Sequence, residues 1–362
     1  MEALEVIRPG LLTTVQDRGR VGYQKYGVPT SGAMDHTAFR AANLLVDNEE
    51  SAAALEATGE GPALRALADL VVAIVGADME PRLDGKPIES GAAMGVRRGQ
   101  LLELGRARQG LRAYLAIAGG IDVPMMLGSR STCLPAAFGG FHGRALHTGD
   151  RLAVSVTGTR PLEIMGRRLP VGWWGAPHEV LTLRVILGPQ EDRFTPEGIE
   201  TFLTGTYRLA PEMDRMGVRL QGPPIAHRSG ADIISDSIPW GAIQVPADGQ
   251  PIVLLADRQT TGGYTKIGVI LREDTYRLAQ ATPGHVVRFC RASVQEAHAA
   301  WRAYEAKCQA LLQSWQGWGD RRSYALRLGG RSYRVGVQEG KGTYRVTIEE
   351  RVEGESKKGE WR

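Results

Sequence analysis

The sequence predicts a mainly β protein built from two related β-barrel domains with a few short helices. A small C-terminal helix and β-hairpin appendage completes it. Three observations carry this reading. Short apolar runs recur along the chain (LVVAIVGAD, LRAYLAIAGGI, LTLRVILGP, AIQVP, PIVLLAD, HVVRF). They have strand length and a Val, Ile and Leu bias. Glycine, at 46 residues, and proline, at 19, punctuate them. Finally, the chain echoes itself. Gly61-Pro62 precedes a strand and then Asp84-Gly85-Lys86-Pro87-Ile88, and Gly222-Pro223 precedes a strand and then Asp248-Gly249-Gln250-Pro251-Ile252. Both D-G-x-P-I segments read as hairpin turns, because glycine tolerates the positive φ such turns need.

The elements follow in order. Residues 1–155 form the first β-rich domain. Its best helix is 35–46, with Asp35 as cap and Ala38, Ala42 and Leu45 at helical spacing. The polar stretch 156–180 reads as a linker or excursion, with Trp173-Trp174 packing onto a barrel rim. The second domain spans 181–292. It holds a short helix at 197–203, capped by Thr195 with Pro196 at its first position. Residues 293–362 form the appendage. There, 294–313 reads as a helix with Ala297, Trp301, Tyr304, Cys308 and Leu311 on one face. Alternation then resumes, with a hairpin at Leu328-Gly329-Gly330-Arg331 and a frayed end, ESKKGEWR.

Composition narrows the function classes. At 43% hydrophobic and 23% charged residues, the 362-residue chain is ordinary globular protein. A net charge of +4 with scattered Lys and Arg argues against nucleic acid as partner. Cys133, Cys290 and Cys308 form no framework, which suits a reducing compartment. No signal peptide or membrane span is evident, so a cytoplasmic location is expected. The seven histidines make no HExxH pattern, and no metal site is expected. No GxxxxGK[ST] loop is present, and Ser129 and Ser131 lack a GxSxG elbow.

The most chemical stretch follows the strand PIVLLAD: Gln259-Thr260-Thr261-Gly262-Gly263-Tyr264-Thr265-Lys266. It combines hydroxyls, a bare Gly-Gly backbone, a phenol and an ammonium, with Asp257 and Arg258 just before it. Read as a loop, it is suited to a small polar or anionic ligand, since adjacent backbone N–H groups can form an anion-binding concavity. A purely geometric glycine connection is the alternative.

The longer motifs carry a resemblance. RPGLLTTVQDRGRVGYQKYGVPTSGAMD, LRAYLAIAGGID, LGSRST, GGFHGRALHTGD, LRVILGPQEDRF and DRMGVRL occur in that order ahead of the segment above. With them the chain resembles the biotin-dependent carboxyltransferase family, also called the allophanate hydrolase subunit 2 family, from about Val6 to Phe289. Within that family its nearest likeness is to the C components of 5-oxoprolinase; the same domain occurs in urea carboxylase.

The resemblance implies that both barrels are cyclophilin-like. It implies two partners, the B component of 5-oxoprolinase, which is of the allophanate hydrolase subunit 1 type, and the A component. It implies ATP-dependent opening of 5-oxo-L-proline to L-glutamate, with the ATP not clearly bound on this chain. Carboxyl transfer to a urea-like or amide substrate is an alternative, and so is non-catalytic antagonism of a kinase inhibitor. The tail lacks a Met-Lys-Met hairpin, so no covalent biotin is expected here.

Either chemistry builds negative charge on an oxygen, which fixed donors stabilise. Lys266, Tyr264 and the amides of Gly262 and Gly263 are the expected donors, with Thr260 and Thr261 beside them and Gln244 on the preceding strand. Arg215, Arg219 and Arg258 compete to hold a substrate carboxylate. Asp214 and Asp192 offer Arg215 a structural ion pair instead, and Arg219 also reads as a solvated strand-face charge.

Overall fold

The computed structural model describes residues 1–155, 164–174 and 179–315, and the backbone of four strands between 321 and 361. Strands dominate, joined by four α-helices among the described residues: α1 (His36–Leu45), α2 (Pro196–Thr204), α3 (Arg272–Leu278) and α4 (Val294–Ser314).

The first half places its strands in two sheets. One has seven strands in the order Ile121–Asp122, Arg151–Val154, Glu2–Arg8, Ala63–Ala66, Leu101–Glu103, Arg82–Leu83, Lys86–Pro87. The other has five, in the order Leu12–Gln16, Ala54–Thr58, Gln109–Ile117, Leu70–Asp78, Ala93–Val96. Leu4, Leu64 and Leu152 from one sheet and Leu55, Leu115 and Ile74 from the other share a core. The five-stranded sheet buries its second face as well. Strand Leu70–Asp78 sends Val72 and Ile74 into that core and Val71, Ala73 and Val75 into another, covered by α1 and the end of α4. A strand buried on both faces reads as a continuous apolar run, which is why LVVAIVGA has no polar alternation.

The second half is a closed barrel. Its seven strands run Val180–Leu187, Lys266–Ile270, Ala242–Gln244, Ile252–Leu254, Gly217–Gln221, Tyr207–Met213, Val286–Arg291. The first and last of these pair in parallel, Val180 with Val286 through Val185 with Arg291, and this closes the ring. Leu183, Val218, Ile243, Val253 and Val287 fill it, and Phe202 of α2 stacks on Phe289 at 4.4 Å. The two-barrel expectation is thus met in part, by one closed ring and one two-sheet body around a shared core.

Helix signals are confirmed in detail. Asp35 accepts from the N–H groups of Thr37 and Ala38 at 2.9 and 3.0 Å, and Thr195 accepts from Gly198 at 3.0 Å. Ser293 and Glu296 form a capping box on α4. Cys308 and Leu311 of α4 are buried, as is Trp173. The tryptophan pair does not sit on a barrel rim. Trp173 joins the α1–α4 core, and the indole N–H of Trp174 donates to Asp35 at 3.1 Å.

The hairpin at Leu328 and Arg331 is present, although Gly329 and Gly330 lie outside the described residues, as does much of the expected linker. The terminal segment is a strand, Glu355–Trp361, on a four-stranded sheet, where fraying was expected.

Candidate functional site

Gly262 and Gly263 lie in a strand, Thr261–Tyr264, which pairs antiparallel with Asp232–Ser237 to form a flap beside the barrel. This corrects the expected loop. Neither glycine has positive φ, so the amides follow an extended ribbon and form no anion nest. Gly262 instead lies close against two side-chain ends. A Cβ there would lie 2.7 Å from Ile238 Cδ1 and 2.8 Å from Gln244 Nε2.

Gln244 sits beneath that glycine, only 2% exposed, on the short strand Ala242–Gln244. Its Nε2 donates to the carbonyl of Tyr264 at 3.5 Å, and its Oε1 accepts no hydrogen bond among the described residues. Gln244, Tyr264, Gln259 and Arg219 line one cleft of about 550 Å³ at the barrel wall. Tyr264 is 42% exposed. Arg219 is exposed and has no ion-pair partner among the described residues. An amide, a phenol and a free guanidinium, drawn from three strands, therefore face one space.

Lys266 is the direct cross-strand neighbour of Gln244 but does not line the cleft. It is fully buried, and its ammonium donates to Asp236 Oδ2 at 3.1 Å. Gln190 closes a triangle. Its Nε2 donates to the same carboxylate oxygen at 3.2 Å, and its Oε1 accepts from the Lys266 N–H at 3.1 Å. Lys266, then the Ser237 N–H, hold the Asp236 carboxyl below the usual carboxylate range. Thr261 extends the flap and is exposed, while the Thr260 carbonyl accepts from the Ile238 N–H at 3.0 Å.

Two of the three arginines lie elsewhere. Arg215 is buried in the seam between the halves. It donates to both oxygens of Asp257, at 2.9 and 3.2 Å, to Glu56, and to the Gly32 carbonyl at 2.7 Å. Asp257 and Glu56 neutralise it, rather than Asp214 or Asp192, and its fork is not free to hold a substrate carboxylate. Burial opposes its charge, but Asp257 and Glu56 override that and raise its pKa. Arg258 faces a separate cleft in the same seam.

Sequence reasoning misses Glu56, Gln190 and Asp236. Glu56 lies inside an apolar strand and carries no local signal. Gln190 reaches Lys266 through the pairing of Val180–Leu187 with Lys266–Ile270, and Asp236 reaches it from the flap. Among the described residues no group of three or more His, Cys, Asp or Glu could hold a metal ion.

The family pattern for the carboxyltransferase domain, subdomain A and B, matches residues 26–291. The chain belongs to the carboxyltransferase family. It is 40% identical over 294 residues to the C subunit of 5-oxoprolinase from Escherichia coli K12, covering 81% of this chain and 93% of that one. The crystal structure of TTHA0988 superposes with a TM-score of 0.72 at 36% identity, over 80% of this carboxyltransferase chain and 55% of that protein. The Kluyveromyces lactis urea carboxylase structure superposes with a TM-score of 0.81 at 29% identity. It covers 96% of this chain, which spans 33% of that larger protein. No helix among the described residues is long and apolar enough to cross a membrane.

Proposed function

We propose that this chain is the C component of an ATP-dependent 5-oxoprolinase and works at a site completed by the B component. The observation that carries the reading is the cleft of Gln244, Tyr264 and Arg219, on a chain 40% identical to the C subunit of a 5-oxoprolinase. In lactam opening a water oxygen adds to the ring carbonyl carbon and moves charge onto its oxygen; the C–N bond then breaks, leaving the new carboxylate of L-glutamate and a protonated amine. Tyr264 supplies a hydroxyl donor for that oxygen. Gln244 can accept the lactam N–H on its free Oε1. Arg219 suits the substrate carboxylate. Lys266 acts from behind, through its strand pairing with Gln244 and its ion pair with Asp236. No nucleotide cradle is assigned to this chain. The ATP site and the general base are left to the B and A components, and no covalent biotin is assigned here.

The test is reconstitution with the B and A components, read as ATP-dependent L-glutamate formation from 5-oxo-L-proline. Arg219→Ala should raise KM, and Tyr264→Phe should lower kcat. Absence of turnover in every mixture of components would sink the reading.

One observation favours a second reading, carboxyl transfer to a urea-like or amide substrate with a separate biotin carrier. The urea carboxylase structure covers 96% of this chain, so the likeness extends into the C-terminal region. Carboxylation of urea in the presence of a biotinylated carrier, without glutamate formation, would select it.

A further inference from the structure

Between the two halves lies a second cleft, of about 500 Å³, remote in composition from the barrel-wall site. Three arginines from three separate segments line it: Arg18, Arg258 and Arg272. Trp240 and Trp301 form walls, and Ser31 lies at its edge.

Arg258 is only 3% exposed, yet it has no carboxylate partner within ion-pair distance among the described residues. Its Nε donates to the Ile238 carbonyl at 2.9 Å, and its Nη1 to Thr30 Oγ1 and the Leu255 carbonyl at 3.2 and 3.1 Å. Nη2 makes no hydrogen bond among the described residues. Burial, with Arg272 adding repulsion, pushes its pKa down to about 10. Its guanidinium also lies 5.8 Å from the Trp240 ring, but no carboxylate answers its charge, and buried cations are ordinarily paired with one.

Ser31 goes unanswered as well. Its hydroxyl is fully buried and has no hydrogen-bond partner among the described residues. It also sits at φ 52°, a left-handed conformation that costs a non-glycine residue energy.

The remaining charges do not cancel the cleft. Arg18 has Glu50 at 3.8 Å, but Arg272 has no ion pair among the described residues. Glu273 is the acidic lining residue, one carboxylate against three guanidiniums, and burial raises its pKa. The walls are set. The Trp240 indole N–H donates to Thr275 Oγ1 at 3.1 Å, and the Arg272 guanidinium lies 5.6 Å from the Trp301 ring.

We propose that this seam cleft binds a small organic anion. Its carboxylate or phosphate head is held by Arg258, Arg272 and Ser31, and its apolar body lies against the tryptophan-lined wall. The site is separate from the barrel-wall cleft and does not depend on the lactam-opening reading.

Calorimetry and tryptophan fluorescence on the full chain test it, with benzoate, phenyl phosphate and neutral benzyl alcohol as probes. Saturable binding of one anion per chain is expected, with benzyl alcohol inert. Whichever of benzoate and phenyl phosphate binds more tightly assigns the head group. Arg272→Gln and Ser31→Ala should each weaken binding about tenfold, the scale of one lost charge-assisted or buried hydrogen bond. Arg272 is exposed, so its variant should fold even if Arg258→Lys does not. Tyr264→Phe, at the other cleft, should leave binding unchanged. The proposal is overturned if neither anion binds at ~10 mM, a limit reflecting barely millimolar affinity. It is equally overturned if benzyl alcohol binds as well, or if both variants bind like the parent.

Discussion

Arg215 in the seam and Lys266 at the barrel wall are both buried cations paired with carboxylates, yet their surroundings differ in kind. Arg215 makes four hydrogen bonds, and the side chains of Glu56 and Asp257 are each 1% exposed. Lys266 has one carboxylate partner, Asp236, whose side chain is 47% exposed. A saturated, sealed cation joins two pieces of structure. A cation whose partner meets solvent stays coupled to the surface, and here it braces the strand that carries Gln244. Burial alone therefore does not separate structural from chemical residues, but the state of the partner does.

The largest effect should come from breaking the seam. Arg215→Ala strands two buried carboxylates and should cost about 3–5 kcal/mol of stability. Denaturant unfolding measures it, and a loss below ~1 kcal/mol, the range of an exposed pair, would put the seam on the same footing as the wall. Next, Lys266→Met keeps the buried stem and frees only a half-exposed carboxylate. Acting through the placement of Gln244, it should slow the reconstituted complex by about tenfold, equal to ~1.4 kcal/mol, while the fold persists. Unchanged turnover would make the wall as structural as the seam.

His36 probes the seam by pH. It stacks on Tyr276 at 5.2 Å, and its pKa is lowered to about 3 by burial first, then by Arg272, Arg18, Arg215 and Arg40. The folded chain keeps it neutral, whereas the unfolded chain protonates it below about pH 6.5. Stability should therefore fall as pH drops from about 6.5 toward 3, by up to ~1.4 kcal/mol per unit. In His36→Phe that part of the slope should vanish; an identical acid limb would rule His36 out as its source. The smallest effect is expected of Asp236→Asn, which keeps an oxygen on the buried Lys266 ammonium and removes only its partner's charge; it should cost about 1 kcal/mol. A larger loss, insensitive to salt, would show that the wall pair is sealed after all.

What is legible in the sequence follows the range of the interactions. Asp35, Thr195 and Ser293 cap helices within a few residues, and their signals are local. The D-G-x-P-I echo shows where local reading stops. Asp84 and Gly85, at φ 49° and 75°, make a two-residue hairpin between Arg82–Leu83 and Lys86–Pro87. The same letters at 248–252 form a longer loop, where Gly249 is pressed against Ile225 and a Cβ would lie 2.8 Å from its N. One motif gives two turns because a distant segment decides the second. The candidate site divides in the same way. Gln244 and Tyr264 share one cleft because strand and flap are close along the chain, whereas the expected glycine loop is a strand. The structural ion pair open to Arg215 forms, but with Asp257 and Glu56, which are 42 and 159 residues away, in place of Asp214 or Asp192.

The parallel pairing of Val180–Leu187 with Val286–Arg291 also bears on how the chain is made. The first barrel strand to leave the ribosome waits for the last before it gains that neighbour. Until about Arg291 has emerged, the sheet has two open edges, each able to template unwanted pairing. Helix α4 begins three residues later, and its Glu305 reaches Arg40 in the first half at 2.9 Å. This second clasp across the halves, added to that of Arg215, thus forms only after the ring has had its chance to close. Synthesis order becomes assembly order, and a chain cut short before 286 would present an unclosed sheet to its neighbours.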